Sequence, residues 1–327
     1  YAQNLGYSLL PSILGYLLVG SIFFVAHKIR KSLSHLDFML NVSGYVLAFY
    51  VTLRLHFFSP DPLIPNFGMG LVLVLVLIAG LLVYALGKNS EFLAALAMIF
   101  LIATALFSIY PQTSFVLRVL SAAVVAVLFL RKEWRHLLMV SLFLVYLSHF
   151  LWLMGNPVLG NPLGVVDAHH NNLVYLFVYA AIYAIIPLTA RKETIPERFY
   201  LSVVIWNAIS FMVLVLLVVL AFYEETYAGI FAIIAVVCLG YSVVLYRRGT
   251  REFIPALFAC FGFMAMSVSV FGYTGLPNAH LLLALQSLLV MSMALWYRSR
   301  IIVVMNTILF LVILLIYTAA YPSVDSI

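Results

Sequence analysis

Stretches of about twenty apolar residues follow one another along almost the whole of this chain, each ended by a short polar turn. Twenty residues of α-helix at about 1.5 Å each cover ~30 Å, the thickness of the hydrocarbon core of a bilayer. The runs fall near 7–26, 36–58, 66–86, 90–110, 113–130, 135–154, 171–190, 198–222, 227–246, 252–272, 279–297 and 300–320. They are punctuated by Pro60, Pro62 and Pro65, by Gly87-Lys88-Asn89, by Pro111, by Asn156-Pro157, by Pro196, and by Gly275 to Asn278. Each run is continuously apolar, without the alternation that marks the strands of a membrane β-barrel. The expected fold is therefore all-α, a polytopic transmembrane helical bundle of about 12 spans. Composition agrees: 66% of the 327 residues are hydrophobic and 9% are charged, against roughly 25% charged in a soluble domain. A water-soluble globule keeps too much surface exposed to hide that much apolar area.

The distribution of charge orients the spans. Of the 17 Lys and Arg residues, all but Arg54 and Arg118 lie in or beside odd-numbered turns. These are Lys28, Arg30 and Lys31; Lys88; Arg131, Lys132 and Arg135; Arg191, Lys192 and Arg198; Arg247, Arg248 and Arg251; and Arg298 with Arg300. The even-numbered turns carry Asp61, Asp167, Glu224 and Glu225, and Asp325 follows the last run. Cytoplasmic turns are the ones enriched in Lys and Arg, so the odd turns are expected inside and both termini on the non-cytoplasmic side of a bacterial inner membrane. The net charge of +6 follows from this pattern. It forms no stripe that would bind nucleic acid. Cys238 and Cys260 both sit inside apolar runs, as small buried residues and not a disulfide pair. The chain starts at Tyr1 without a signal-peptide pattern, and the natural polypeptide is expected to extend upstream.

A shift of 161 residues lays Phe38 on Phe199, Leu40 on Leu201, and Glu91-Phe92 on Glu252-Phe253. It also lays the first six runs on the last six. Because six is even, the two halves, 1–160 and 161–327, would run in the same direction as a parallel internal repeat. Twelve spans in two parallel halves resemble the major facilitator fold, with two departures. Both termini are expected outside, and the turn after the second run is Ser59-Pro60-Asp61-Pro62 where that family has a basic motif after its second span. Leu36 to Phe58, Leu63-Ile64-Pro65, Lys88-Asn89-Ser90-Glu91 and the stretch Gly275 to Arg300 resemble a large family of bacterial polytopic membrane proteins known as domain of unknown function twenty-three thirty-nine. That resemblance implies a multi-pass architecture, with further spans and a leading cytoplasmic segment in many members. It implies no activity.

Few polar residues stand out. No Asp or Glu falls in the middle third of a run, which argues against a proton or cation relay across the membrane. Arg54 and Arg118 oppose the charge rule near the outer ends of their helices. They read either as grips for an anionic lipid headgroup or as side chains that snorkel or pair with Asp61 or Asp167. Tyr146, His149 and Trp152 share one helix face by their spacing and would line a cavity or join the aromatic belt at the interface. Asn207, Gln286 and Asn306, with Ser267, Ser269, Ser287 and Ser292, would bond neighbouring helices or line a path. Asp167, His169 and His170 share one turn and are metal-type side chains. A metal site there needs further ligands from His56, His149 or His280. The competing reading has Asp167 or Asn171 cap the seventh span. No nucleotide-binding, catalytic or cofactor motif is present, so the reading favours a chain without cofactor or catalysis. The expected function is transport or handling of an envelope lipid or other anionic molecule, with membrane lipids as partners and Arg54, Arg118, His149, Trp152 and Gln286 as its site. The alternatives are a scaffold or subunit of an envelope complex, with protein partners, and an intramembrane metal-dependent enzyme.

Overall fold

A computed structural model describes residues 10–57, 62–189, 195–250, 253–275, 278–296, 300, 302–304, 307–308 and 311. Among these residues all regular structure is helical: α1 (Leu10–Ile29), α2 (Ser34–Arg54), α3 (Phe67–Gly87), α4 (Glu91–Phe107), α5 (Pro111–Lys132), α6 (Arg135–Leu153), α7 (Asn172–Ala184), α8 (Glu197–Phe222), α9 (Tyr227–Arg247), α10 (Phe253–Thr274) and α11 (Asn278–Trp296), with two short 3-10 turns. Eight of the helices are long and apolar enough to cross a membrane, and the apolar stretches Glu91–Phe107, Asn172–Leu188 and Leu281–Trp296 are shorter. Large apolar side chains stand exposed along them, Val83 at 69% and Val236 at 72% among them. Water would not tolerate such a surface and lipid would. Most of the expected span near 300–320 lies outside the described residues, as do Asp61, Arg191, Lys192, Arg251, Arg298, Asn306, Asp325 and the side chain of His280.

The chain divides into two compact units, 1–163 and 164–327. In the first, α1 packs on α2, α3 on α4, and α4, α5 and α6 on one another. Local chemistry sets the helix starts. The Asn66 side chain accepts from the Met69 amide (3.1 Å) and Ser90 from the Leu93 amide (3.4 Å), satisfying donors that a helix start leaves open. Pro111 opens α5, where its missing N–H costs nothing. Glu133 ends α5 in the left-handed region (φ 58°), its amide on the Phe129 carbonyl.

Polar contacts identify the two ends of this unit. At one end Lys132 Nζ donates to Asn89 (3.4 Å), while Glu91 accepts from the Leu137 amide (2.8 Å) and meets His136 (3.2 Å). The basic turns around Lys88 and around Arg131, Lys132 and Arg135 therefore share an end. At the other end Asn156 Nδ2 donates to the Leu106 carbonyl (2.6 Å), and the rings of Phe67 and Tyr110 meet edge to face at 4.8 Å.

In the second unit α7 packs on α8, α9 on α10, and α10 also on α8 and α11. The α9–α10 contact is close because two glycines face it. A Cβ on Gly272 would lie 2.7 Å from that of Ala228, and one on Gly262 would lie 2.8 Å from Leu239 Cγ. Without hydrophobic drive between helices in lipid, such close backbone approach supplies the dispersion contact that holds the pair.

Candidate functional site

Arg118 is not presented at the surface. It lies seven residues into α5, about 10 Å along the helix axis, and is fully buried. Its Nε donates to Ser148 Oγ (2.9 Å) and one terminal nitrogen to the Ser148 carbonyl (3.0 Å), so the planar fork straddles one residue of α6. Ser148 Oγ in turn donates to the Val145 carbonyl (2.9 Å). A hydroxyl suits this place because it accepts from the guanidinium while donating to its own helix. The Phe115 ring lies 5.4 Å from the guanidinium carbon, stacks on His149 at 5.2 Å and meets Trp152 edge-on at 4.6 Å.

The structure thus gathers three of the expected site residues, Arg118, His149 and Trp152, and adds Phe115 and Ser148, which the sequence reading passed over. The i, i+3 spacing of Phe115 and Arg118 on α5 was the available signal. The gathering corrects two expectations. Arg118 is enclosed and does not snorkel to a headgroup. Tyr146, His149 and Trp152 are buried, at 4%, 0% and 8% exposure, and so form a packed helix face and not an interfacial belt.

The other expected residues lie elsewhere. Arg54 ends α2, half-buried, and that helix packs on α1 and α3. Gln286 belongs to the second unit, where its Nε2 donates to the Phe263 carbonyl (2.8 Å) and to Ser267 Oγ (2.9 Å), joining α11 to α10. Asn207 likewise joins α8 to α7 through the Ala180 carbonyl (3.2 Å). These amides bond neighbouring helices. Asp167, His169 and His170 are exposed. His169 leans on Phe222 and Tyr223, with centroids at 6.4 and 5.6 Å, and its Nδ1 accepts from the Asn171 amide (3.2 Å). His56 Nδ1 donates to the Ile64 carbonyl (2.7 Å). Among the described residues no three His, Cys, Asp or Glu side chains gather to hold a metal ion. Nor does Asn171 cap α7: it stands at the N-cap in the left-handed region with no capping bond from its side chain. Beside it Asn172 is fully buried with neither amide atom hydrogen-bonded among the described residues.

The second unit holds a half-open cavity of about 260 Å³ between α7, α8, α9 and α10. Its wall is almost wholly apolar, with Phe177, Ala181, Ala208, Phe211, Val237 and Phe258 among the lining side chains and Cys238 beside them. The polar residues in the wall are turned to structural use. Pro187 has no N–H to continue α7, which ends at Ala184 and passes into a 3-10 turn over Ile186–Thr189. There Leu188 donates to the Ile185 carbonyl (3.1 Å), not one residue further back as an α-helix would require, and the Ala184 carbonyl is released. The Tyr241 hydroxyl of α9 donates to that carbonyl. Asn207 of α8 donates to Ala180, one turn earlier. Two side chains thus tie the opened end of α7 across the cavity, and hydrocarbon faces the space that remains. Nothing in the sequence reading singled out Pro187, Tyr241 or the cavity. Comparison of the chain with models of protein families, with curated proteins and with solved structures found no match.

Proposed function

We propose that this chain is a multi-pass protein of a bacterial cytoplasmic membrane that handles an envelope lipid by taking part of an apolar chain into the cavity of its second unit. The supporting observation is the cavity itself. It is half-open, it is lined by Phe, Ala, Val and Ile side chains, and its Asn207 and Tyr241 already serve the α7 backbone. A polar ligand would lose hydrogen bonds with water there and find few in return, whereas a hydrocarbon chain loses nothing. At about 260 Å³ the space lies just below the ~300–1,000 Å³ of common small-molecule sites. Counting a methylene at roughly the ~30 Å³ of a liquid water, it admits on the order of eight or nine methylenes, one segment of an acyl or isoprenoid chain and not a whole lipid. The anionic part of the expected ligand finds less support. Arg118 is enclosed between α5 and α6, so of the two arginines only Arg54 has part of its surface open to a headgroup.

The test is mass spectrometry of what stays bound to protein purified in mild detergent. Wild type is expected to retain a chain-bearing lipid that Ala181→Trp, which puts an indole on the cavity wall, releases at least fivefold, while Arg118→Ala keeps it. Retention by Ala181→Trp with loss in Arg118→Ala would sink the cavity reading and restore the anionic one. A stoichiometric protein partner and no retained lipid would move the reading to a scaffold within an envelope complex.

A further inference from the structure

The helices around the cavity carry unlike charge at their two ends. Glu224 and Glu225 stand exposed in the turn between α8 and α9. At the other end Arg247 and Arg248 close α9, and Glu197 and Arg198 open α8. The turn after α9 is firmly built. The Gly249 amide donates to the Tyr246 carbonyl (3.0 Å) and the Thr250 amide to the Leu245 carbonyl (3.2 Å), with Gly249 in the left-handed region (φ 65°). This closure fixes where the helix stops, and so where Arg248 leaves it.

Arg248 lies on the cavity side of α9. Ile234 and Tyr241 line the cavity, and Arg248 continues their seven-residue spacing, about two turns a step, so that the three share a face. Its guanidinium acts electrostatically on the Tyr241 hydroxyl, the group that ties α9 to the Ala184 carbonyl. Arg247 is exposed as well but is turned by about 100° to another face.

We infer that Arg248 holds the anionic headgroup of the lipid whose chain enters the cavity, and that this chain is about sixteen to eighteen carbons long. The inference rests on the chain-binding reading above and adds the charge of the headgroup, its anchor and the length of the chain. A guanidinium grips a phosphate through paired, charge-assisted hydrogen bonds, and the acidic opposite end disfavours the same headgroup. The length follows from the helix. Along its axis Tyr241 lies ~10 Å and Ile234 ~21 Å from Arg248. Three bonds of an extended backbone span at most ~3.6 Å, so an extended hydrocarbon advances by ~1.2 Å per bond. A chain anchored at Arg248 therefore comes level with Tyr241 after about nine bonds and with Ile234 after about seventeen. The stretch between them takes about eight or nine methylenes, the number that the cavity volume admits. A chain of about ten carbons would scarcely enter.

Photolabelling of the full chain in lipid nanodiscs tests this, with a hexadecyl phosphate that bears a diazirine near its terminal methyl. Labelling that excess unlabelled hexadecyl phosphate suppresses is mapped to peptides by mass spectrometry. Wild type is expected to label at the cavity-lining residues of α7 to α10. At equal mole fraction in the bilayer, uncharged hexadecanol and short decyl phosphate should each compete at least fivefold more weakly. Arg248→Gln should cut the suppressible signal at least threefold, and Arg247→Gln should leave it unchanged. If wild type labels at the cavity and hexadecanol competes equally well, or the two glutamine variants behave alike, Arg248 holds no headgroup and this inference falls while the chain-binding reading stands. Equal competition by decyl phosphate overturns the chain length. Absence of suppressible labelling at the wild-type cavity overturns both this inference and the reading beneath it.

Discussion

A guanidinium in the interior of a membrane-type helix pair is costly to bury, and Arg118 meets that cost with geometry. Two of its nitrogens fork onto Ser148, and Phe115 offers a ring face at 5.4 Å. Hydrogen bonds to a charged group contribute about 1.5–3 kcal/mol each in soluble proteins and less in lipid, so Arg118→Ala is expected to destabilise by on the order of 2–3 kcal/mol. Arg118→Lys should recover little of this, because a single ammonium cannot straddle a hydroxyl and a carbonyl. Thermal unfolding in detergent measures both, and full rescue by lysine would show that charge and not the fork matters. Asn172 presents the opposite case. Its amide is fully buried with no hydrogen bond among the described residues, a condition that costs roughly 1–3 kcal/mol. Asn172→Leu is therefore expected to raise the melting temperature. A fall would mean that the amide holds a water or another polar group that leucine expels.

Among the helices, α7 shows how one residue changes a wall. Pro187 ends it, the Ala184 carbonyl is freed, and Tyr241 answers that carbonyl from α9. Tyr241→Phe should cost about 1 kcal/mol by leaving a buried acceptor unsatisfied. In a Pro187→Ala background the Leu188 amide can reach Ala184, so the same substitution should cost much less. A double-mutant cycle reads the coupling directly. Additive effects would show that the hydroxyl does not replace the lost helix bond. The α9–α10 pair is likewise shaped locally, by close approach at Gly262 and Gly272.

For the molecule as a whole, the charge pattern makes an orientation test. Within the first unit the turns at Lys88 and at Arg131 to Arg135 meet at one end, and Asn156 and Tyr110 belong to the other. The positive-inside rule assigns the first end to the cytoplasm. A cysteine placed at Asn89 should react with an impermeant thiol reagent only in inverted vesicles, and one placed at Asn161 only in intact cells. The reverse pattern would overturn the assignment of sides, and labelling of both from one side would overturn the alternation of spans.

Helix formation, the near-absence of water-compatible surface and most helix boundaries were legible in the sequence because lipid imposes them residue by residue. Backbone groups in hydrocarbon must be bonded within the protein, and a helix bonds nearly all of them locally, so apolar length and punctuating Pro, Gly and Asn carry the information. The interhelical roles of Asn207 and Gln286 were legible for the same reason, since a buried amide in lipid seeks a neighbouring backbone. Which way each helix turns was not, because a membrane helix is apolar on every side and periodicity does not separate its packed face from its lipid face. That rotation decided that Arg118, His149 and Trp152 turn inward and that small residues on α7 and α8 leave a cavity in the second unit.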